Sequence, residues 1–183
     1  MSFTGEISEQ RIELLLQELR RENGRTGLFV HSPGGTFDFF SRLGPAIARR
    51  DVTTFAGDVE SAAVLLYLLG HRRIAHPRST FLFHEVRIFP AGSMGGPITV
   101  TDLEGFEEYR SRMSREGREH YEAWLASMRD AQSWFVRFLR AQTNVDTGTF
   151  LGLMREEARL SAHEALRYGI VHNVTERFPW QPR

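Results

Sequence analysis

Leu28-Phe29-Val30-His31-Ser32-Pro33-Gly34-Gly35 opens the stretch that decides the fold, and Gly57-Asp58-Val59-Glu60-Ser61 and Phe81-Leu82-Phe83-His84 continue it. The apolar run 28–30 stops at Ser-Pro-Gly-Gly, a turn signal. Val52 to Ala56 is a second run, and it stops at Gly57. Ser61 then opens an apolar helix, Ala62 to Leu69, closed by Gly70. From 28 to 85 the order is strand, turn, helix, strand, sharp turn, helix, strand. That alternation predicts an α/β fold with right-handed crossovers and a mostly parallel sheet. Each candidate functional residue falls where a strand ends or a helix begins, where open α/β sheets carry their sites.

The residue types at those ends suit acyl transfer. A serine hydroxyl is a weak nucleophile until a base removes its proton. Ser61, at a helix start, has unpaired backbone N–H groups beside it that favour a developing anion. His84 ends the next strand and is positioned to act as base. The N–H groups of Gly35 and Ala62 can together form an oxyanion hole. Gly34, Thr36 and Phe37, on the same turn, are expected to line the substrate site. Each feature also has a structural reading. Serine at a helix start is common as an N-cap, histidine at a strand end is commonly hydrogen-bonded framework, and Phe37, Phe39 and Phe40 are either core or a pocket wall.

Composition excludes several other chemistries. The chain has 183 residues, enough for one domain with a substantial core. Its 23 Lys+Arg balance 23 Asp+Glu, so neither nucleic acid nor an anionic membrane is favoured as a partner. With no cysteine, disulfides, thiol catalysis and cysteine-ligated metals are excluded. The seven histidines show no metal-ligand spacing, so no metal is expected, and the chemistry needs no cofactor. No apolar run is long enough to span a bilayer and no signal pattern opens the chain, so it reads as soluble and cytoplasmic.

Taken in order, five segments resemble the proteolytic subunit of the Clp protease. His31-Ser-Pro-Gly-Gly-Thr36 resembles that family's N-S-P-G-G-S turn. Gly57-Asp-Val-Glu-Ser61 stands where the family has its G-x-A-A-S nucleophile turn, and Thr80-Phe-Leu-Phe-His84 resembles the strand carrying its catalytic histidine. Leu160-Ser-Ala-His-Glu-Ala-Leu-Arg-Tyr-Gly-Ile-Val171 is similar to its L-S-A-x-E-A-x-x-Y-G-L-V segment, and Phe3-Thr-Gly-Glu-Ile7 to its early L-T-G-x-I/V strand. The resemblance implies a fold of the ClpP/crotonase type, with repeated ββα units and a protruding handle helix. It implies one domain, with a head over about 1–96 and 158–177 and a handle over about 98–157. It also implies a serine peptidase with Ser61 as nucleophile and His84 as base.

Departures from the family pattern matter as much. Val59 and Glu60 replace two small residues before the serine, and Ala62-Ala63 replace the Met-Gly after it. Glu60 brings a carboxylate beside the proposed nucleophile, either repelling an oxyanion or facing solvent. Counting back from Leu160-Ser161-Ala162, the triad aspartate of the D-x-x-R-D run falls on Leu153. Glu156 and Glu157 are the candidates for third member, with Asp146 a weaker one. Family chains carry a pore-lining helix and hairpin before the first strand. This chain begins almost at the core fold, which sets partnership with a Clp ATPase in doubt.

The remaining segments frame that centre. Phe3 to Ile7 reads as a strand, and Ser8 caps a helix to about Asn23 with Ile12, Leu15, Leu16 and Leu19 on one face. Thr36 is expected to cap a second helix reaching Arg49. Val86 to Pro97 is a Gly/Pro-rich loop; it reads as a connector, whereas the resemblance implies a strand that pairs with substrate backbone. Thr101-Asp-Leu-Glu104 starts a long charged helix through Ala141, with a break expected at Gly117. Its stripe of Tyr109, Met113, Trp124, Met128, Trp134, Phe135 and Phe138 either drives homo-oligomerisation, for which the resemblance implies a ring or stacked rings, or folds back on the domain. A helix from Asp146 to Glu157, another from Ser161 to Tyr168, a strand from Ile170 to Val174 and an aromatic tail with Trp180 close the chain.

The function these readings favour is cleavage of short or unfolded peptides through an acyl-enzyme. Two alternatives stand beside it: a weak or inactive homologue serving as an assembly subunit, and a crotonase-type acyl-CoA enzyme that uses the oxyanion hole without a serine nucleophile.

Overall fold

A computed structural model of the chain describes residues 1–22, 24–36, 38–89 and 96–178. The readings that fall on Asn23, Phe37, Trp180 and the loop at 90–95 lie outside the described residues. In chain order the first elements are β1 (Ser2–Thr4), α1 (Glu9–Arg21), β2 (Thr26–Ser32), α2 (Phe40–Ala48), β3 (Val52–Glu60), α3 (Ala62–Leu68) and β4 (Arg72–Leu82). Next come β5 (Arg87–Ile88), β6 (Ile98–Thr99), α4 (Val100–Gly105), a 3-10 turn at Glu107–Arg112 and α5 (Arg115–Gln142). The last are α6 (Thr147–Arg155), β7 (Arg159–Ser161), α7 (Ala162–Arg167) and β8 (Asn173–Val174). β1 to β4 lie side by side and parallel; β7 joins the second half of β4 antiparallel, and β8 joins its first half parallel. The fold is α/β with a mostly parallel sheet, as the alternating pattern predicts.

The core forms where the apolar periods converge. On α1, Ile12, Leu15, Leu16 and Leu19 are buried. α3 is apolar at every position and buried at every position, so it lies inside the molecule rather than on its surface. The second half of α5, with Phe135, Val136 and Leu139, joins this main core, as do Phe150 and Met154 of α6. The first half of α5 packs Tyr121, Leu125 and Met128 against Val100 and Leu103 of α4 in a smaller cluster. Much of the α5 stripe is therefore covered within the chain; Phe106, Tyr109 and Trp124 stay exposed.

Several boundaries differ from expectation: β1 covers Ser2–Thr4 rather than 3–7, β8 only Asn173–Val174 rather than 170–174, and β4 stops at Leu82, two residues short of His84. α2 begins at Phe40 rather than at Thr36, because residues 34–36 are held extended in a parallel bridge to Ile7. β3 runs through Gly57 to Glu60. A Cβ at Gly57 would lie 2.8 Å from His31 Nδ1, so glycine here answers a close approach and a bulge rather than a stop. β4 is one eleven-residue strand that includes Pro77. Pro77 is accommodated because the register with β3 jumps between Ala75 and Thr80, and Ser79 Oγ donates to Ala56 O across the gap at 2.6 Å. The helix expected from Thr101 breaks at 106–114, not at Gly117. Ser114 caps α5 by accepting the Gly117 N–H at 3.1 Å, which places Gly117 in the first turn.

Candidate active site

The Ser-Pro-Gly-Gly turn leaves β2 with Ser32 Oγ accepting the Gly34 N–H at 3.1 Å. Gly34 has φ 94°, and a Cβ there would lie 2.7 Å from Ser61 Cβ and 3.1 Å from Ser61 Oγ. The turn thus packs directly on Ser61, and only a residue without a side chain fits. Ile7 donates to Gly34 O at 2.7 Å and accepts from Thr36 N–H at 3.3 Å. In a parallel bridge those bonds belong to the neighbours of Gly35, so the Gly35 N–H itself points away from Ile7.

Ser61 joins β3 to α3 with φ 56° and ψ −129°. An L-residue in this region costs about 1–3 kcal/mol, a strain that clusters at functional sites. The backbone is pinned there because Ser61 N–H donates to Leu82 O, the end of β4, at 2.9 Å. The Ser61 side chain makes no cap hydrogen bond, although it stands at the N-cap position. Ser61 lines a cavity of about 560 Å³ together with Gly34, Gly35, Ala62 and His84. Thr36 borders the same cavity. Leu65, Trp134 and Phe135 give it an apolar wall, and Phe89 and Arg87 lie at its margin.

His84 follows two residues after β4 ends. Its Nδ1 is 2.6 Å from the Glu85 carbonyl. A carbonyl only accepts, so Nδ1 carries the proton and Nε2 keeps its lone pair. Burial holds the imidazole below its usual pKa; the bond to Glu85 O pulls it up, Arg87 pushes it down, and Glu157 and Glu60 pull it up. The ring is neutral at pH 7, as a general base must be.

The candidates for a third acid lie elsewhere. Neither Glu156 nor Glu157 hydrogen-bonds His84. Glu156 is exposed at the end of α6, and the Glu157 carboxylate pairs with Arg87. Glu157 sits at φ 49° in a left-handed helix stop, where Ala158 N–H donates to Leu153 O at 2.9 Å. Asp146 caps α6, accepting from Thr149 N–H at 3.0 Å and Thr149 Oγ1 at 2.7 Å. Leu153 packs against the main core. Glu60 neither crowds the cavity nor stands free, because Arg159 Nη2 donates to it at 2.7 Å.

Sequence reasoning misses Glu85, Thr101 and Gln132. Glu85 is buried beside His84, with its carboxylate taken by Thr101 and Gln132. The one available signal is a charged residue directly after an apolar strand end. Among the described residues no group of three or more His, Asp or Glu is arranged to hold a metal, and no helix is long and apolar enough to cross a membrane.

Compared with curated proteins, the chain finds no match. A sequence profile of the Clp protease family matches residues 2–178, one continuous span that takes in the glycine turn, the strained serine turn and the histidine after β4. With that span and a mostly parallel α/β architecture, the chain belongs to the Clp protease family.

Proposed function

We propose that this chain is a serine peptidase that cleaves short or unfolded peptides through an acyl-enzyme. The observation that carries the reading is Ser61: a strained, uncapped serine on a cavity it shares with a histidine whose Nε2 is free to accept a proton. His84 Nε2 takes the proton from Ser61 Oγ as Oγ adds to the substrate carbonyl carbon. The oxyanion is stabilised by the N–H groups of Gly35 and Ala62. His84 then returns the proton to the leaving amine, and water attacks the acyl-enzyme with His84 again as base. Gly34 and Thr36 border the substrate, and the apolar wall of Leu65, Trp134 and Phe135 receives an apolar side chain. No cofactor takes part.

A third carboxylate is not required for the tautomer, which the Glu85 carbonyl sets. A carbonyl carries no full charge, however, so it stabilises an imidazolium less than the usual aspartate. This favours a slow enzyme. The exposed Phe106 and Tyr109 before α5 and Trp124 on it support homo-oligomer formation through the handle. The second reading, an assembly subunit with weak or no activity, is favoured by one observation: a leucine, Leu153, packed against the core where the family resemblance puts the triad acid.

The test is labelling with a fluorophosphonate probe, read by intact mass and peptide mapping, with Ser61→Ala and His84→Ala in parallel. One adduct on Ser61, lost in both variants, is the expected result. No adduct under conditions that label an active Clp peptidase overturns the peptidase reading in favour of the assembly subunit.

A further inference from the structure

Glu85 is 5 % exposed and carries an ionisable side chain into the interior between the His84 segment and the handle. Its carboxylate accepts from Thr101 Oγ1 at 3.0 Å, Thr101 N–H at 3.3 Å and Gln132 Nε2 at 3.4 Å. Among the described residues no cation pairs with it: the nearby Arg87 is committed to Glu157 and Arg129 to Glu104. A buried carboxylate held only by neutral donors is costly, and an apolar residue would fill the space at lower cost. Its neighbours point to a reason for it. Gln132, itself 7 % exposed, also accepts the Val86 N–H through Oε1 at 3.2 Å. Side chain and backbone of the 85–86 segment are therefore gripped from α4 and α5 at once. Between those grips lies the Glu85 carbonyl, the group that holds His84 Nδ1.

We propose that Glu85 is the positioning residue of this site: its buried carboxylate, anchored by Thr101 and Gln132, holds the peptide carbonyl that orients His84 in place of a triad acid. The inference rests on the Ser61–His84 reading and deepens it. The orienting acceptor has moved from a side chain on α6, where Leu153 now stands, to the main chain next to the histidine. The positioning has moved with it, to two residues of the handle.

The experiment uses the full chain with Glu85→Leu, Glu85→Gln, Gln132→Leu and Thr101→Val, each checked for native circular dichroism. Two quantities are read. One is the tautomer of His84 by long-range proton–nitrogen NMR, assigned against His84→Ala. The other is the second-order rate of fluorophosphonate labelling at Ser61. Wild type should show His84 protonated on Nδ1. Glu85→Leu and Gln132→Leu should mix the tautomers and slow labelling by about 10- to 10²-fold, the scale of a displaced catalytic group. In peptide hydrolysis the loss should fall on kcat with KM little changed, and Glu85→Gln, which keeps an acceptor for Thr101 Oγ1, should retain more activity than Glu85→Leu. Wild-type tautomer and rate in folded Glu85→Leu would overturn the proposal. If Glu85→Leu does not fold, wild-type tautomer and rate in Gln132→Leu and Thr101→Val overturn it instead. Failure of wild type to label at all sinks the peptidase reading, and the tautomer shift still decides whether Glu85 orients the ring.

Discussion

Gly34→Ala is the substitution whose effect the structure defines most closely. A methyl at residue 34 would lie 2.7 Å from Ser61 Cβ and 2.9 Å from Glu60 O, at φ 94°. The serine cannot retreat easily, because its N–H is bonded to Leu82 O and Glu60 is in register with Leu82. Two costs follow: about 1–2 kcal/mol for an L-residue in the left-handed region and about 1–3 kcal/mol for overpacking against fixed backbone. Gly24 separates them. It has φ 97° with nothing within 4 Å of its Cβ position, so Gly24→Ala carries the conformational cost alone. The assay is urea denaturation, comparing midpoints at constant m, with fluorophosphonate labelling alongside. Gly24→Ala should lose about 1–2 kcal/mol and label like wild type. Gly34→Ala should lose about 2–5 kcal/mol and label about 10²-fold more slowly. If Gly34→Ala is no less stable than Gly24→Ala and labels at the wild-type rate, the turn does not pack on Ser61 and the geometry of the site is wrong.

The pH dependence has a defined sign. His84 titrates below the usual value of about 6.5. The labelling rate should therefore be flat at neutral pH and fall on the acid side with a midpoint under that value, and Glu157→Gln, which removes a charge that raises His84, should move the midpoint lower still. Because the unfolded chain binds this proton first, His84 adds stability above about pH 6.5 that is lost as the pH falls from there toward its folded pKa. Wild type should lose more stability than His84→Ala across that window in matched urea melts. Leu153→Asp places a carboxylate where counting back from Leu160-Ser161-Ala162 puts the triad acid. It should raise the labelling rate and shift the acid limb upward, while costing about 1–3 kcal/mol because Leu153 packs on the main core; a lower rate in a folded variant would show that the position no longer faces His84.

Local chemistry brings much of the fold into view. The apolar periods of α1 and α3 and the helix starts near Asp146 and Ser161 are decided within one helical turn, and the structure has those helices where the residues put them. The placement of Ser61 between a strand and an apolar helix is legible for the same reason. Its left-handed φ is not, since no residue type announces a strain that neighbouring strands impose.

What lies beyond the sequence depends on partners far along the chain. Thr36 does not start a helix because Ile7 holds residues 34–36 extended, and Gly57 does not end a strand because His31 fills the space beside it. Glu60 reads as a lone charge in the sequence, yet Arg159, far along the chain, is its counter-ion. The sequence points to carboxylates near the end of α6 as acceptors for His84, but the acceptor is the next peptide group, held by Gln132 from the handle. Periodicity and turn residues report interactions within a few positions, and those set which elements form. Boundaries, charge partners and the aim of a candidate catalytic side chain are set by packing between elements, which only the folded chain brings into contact.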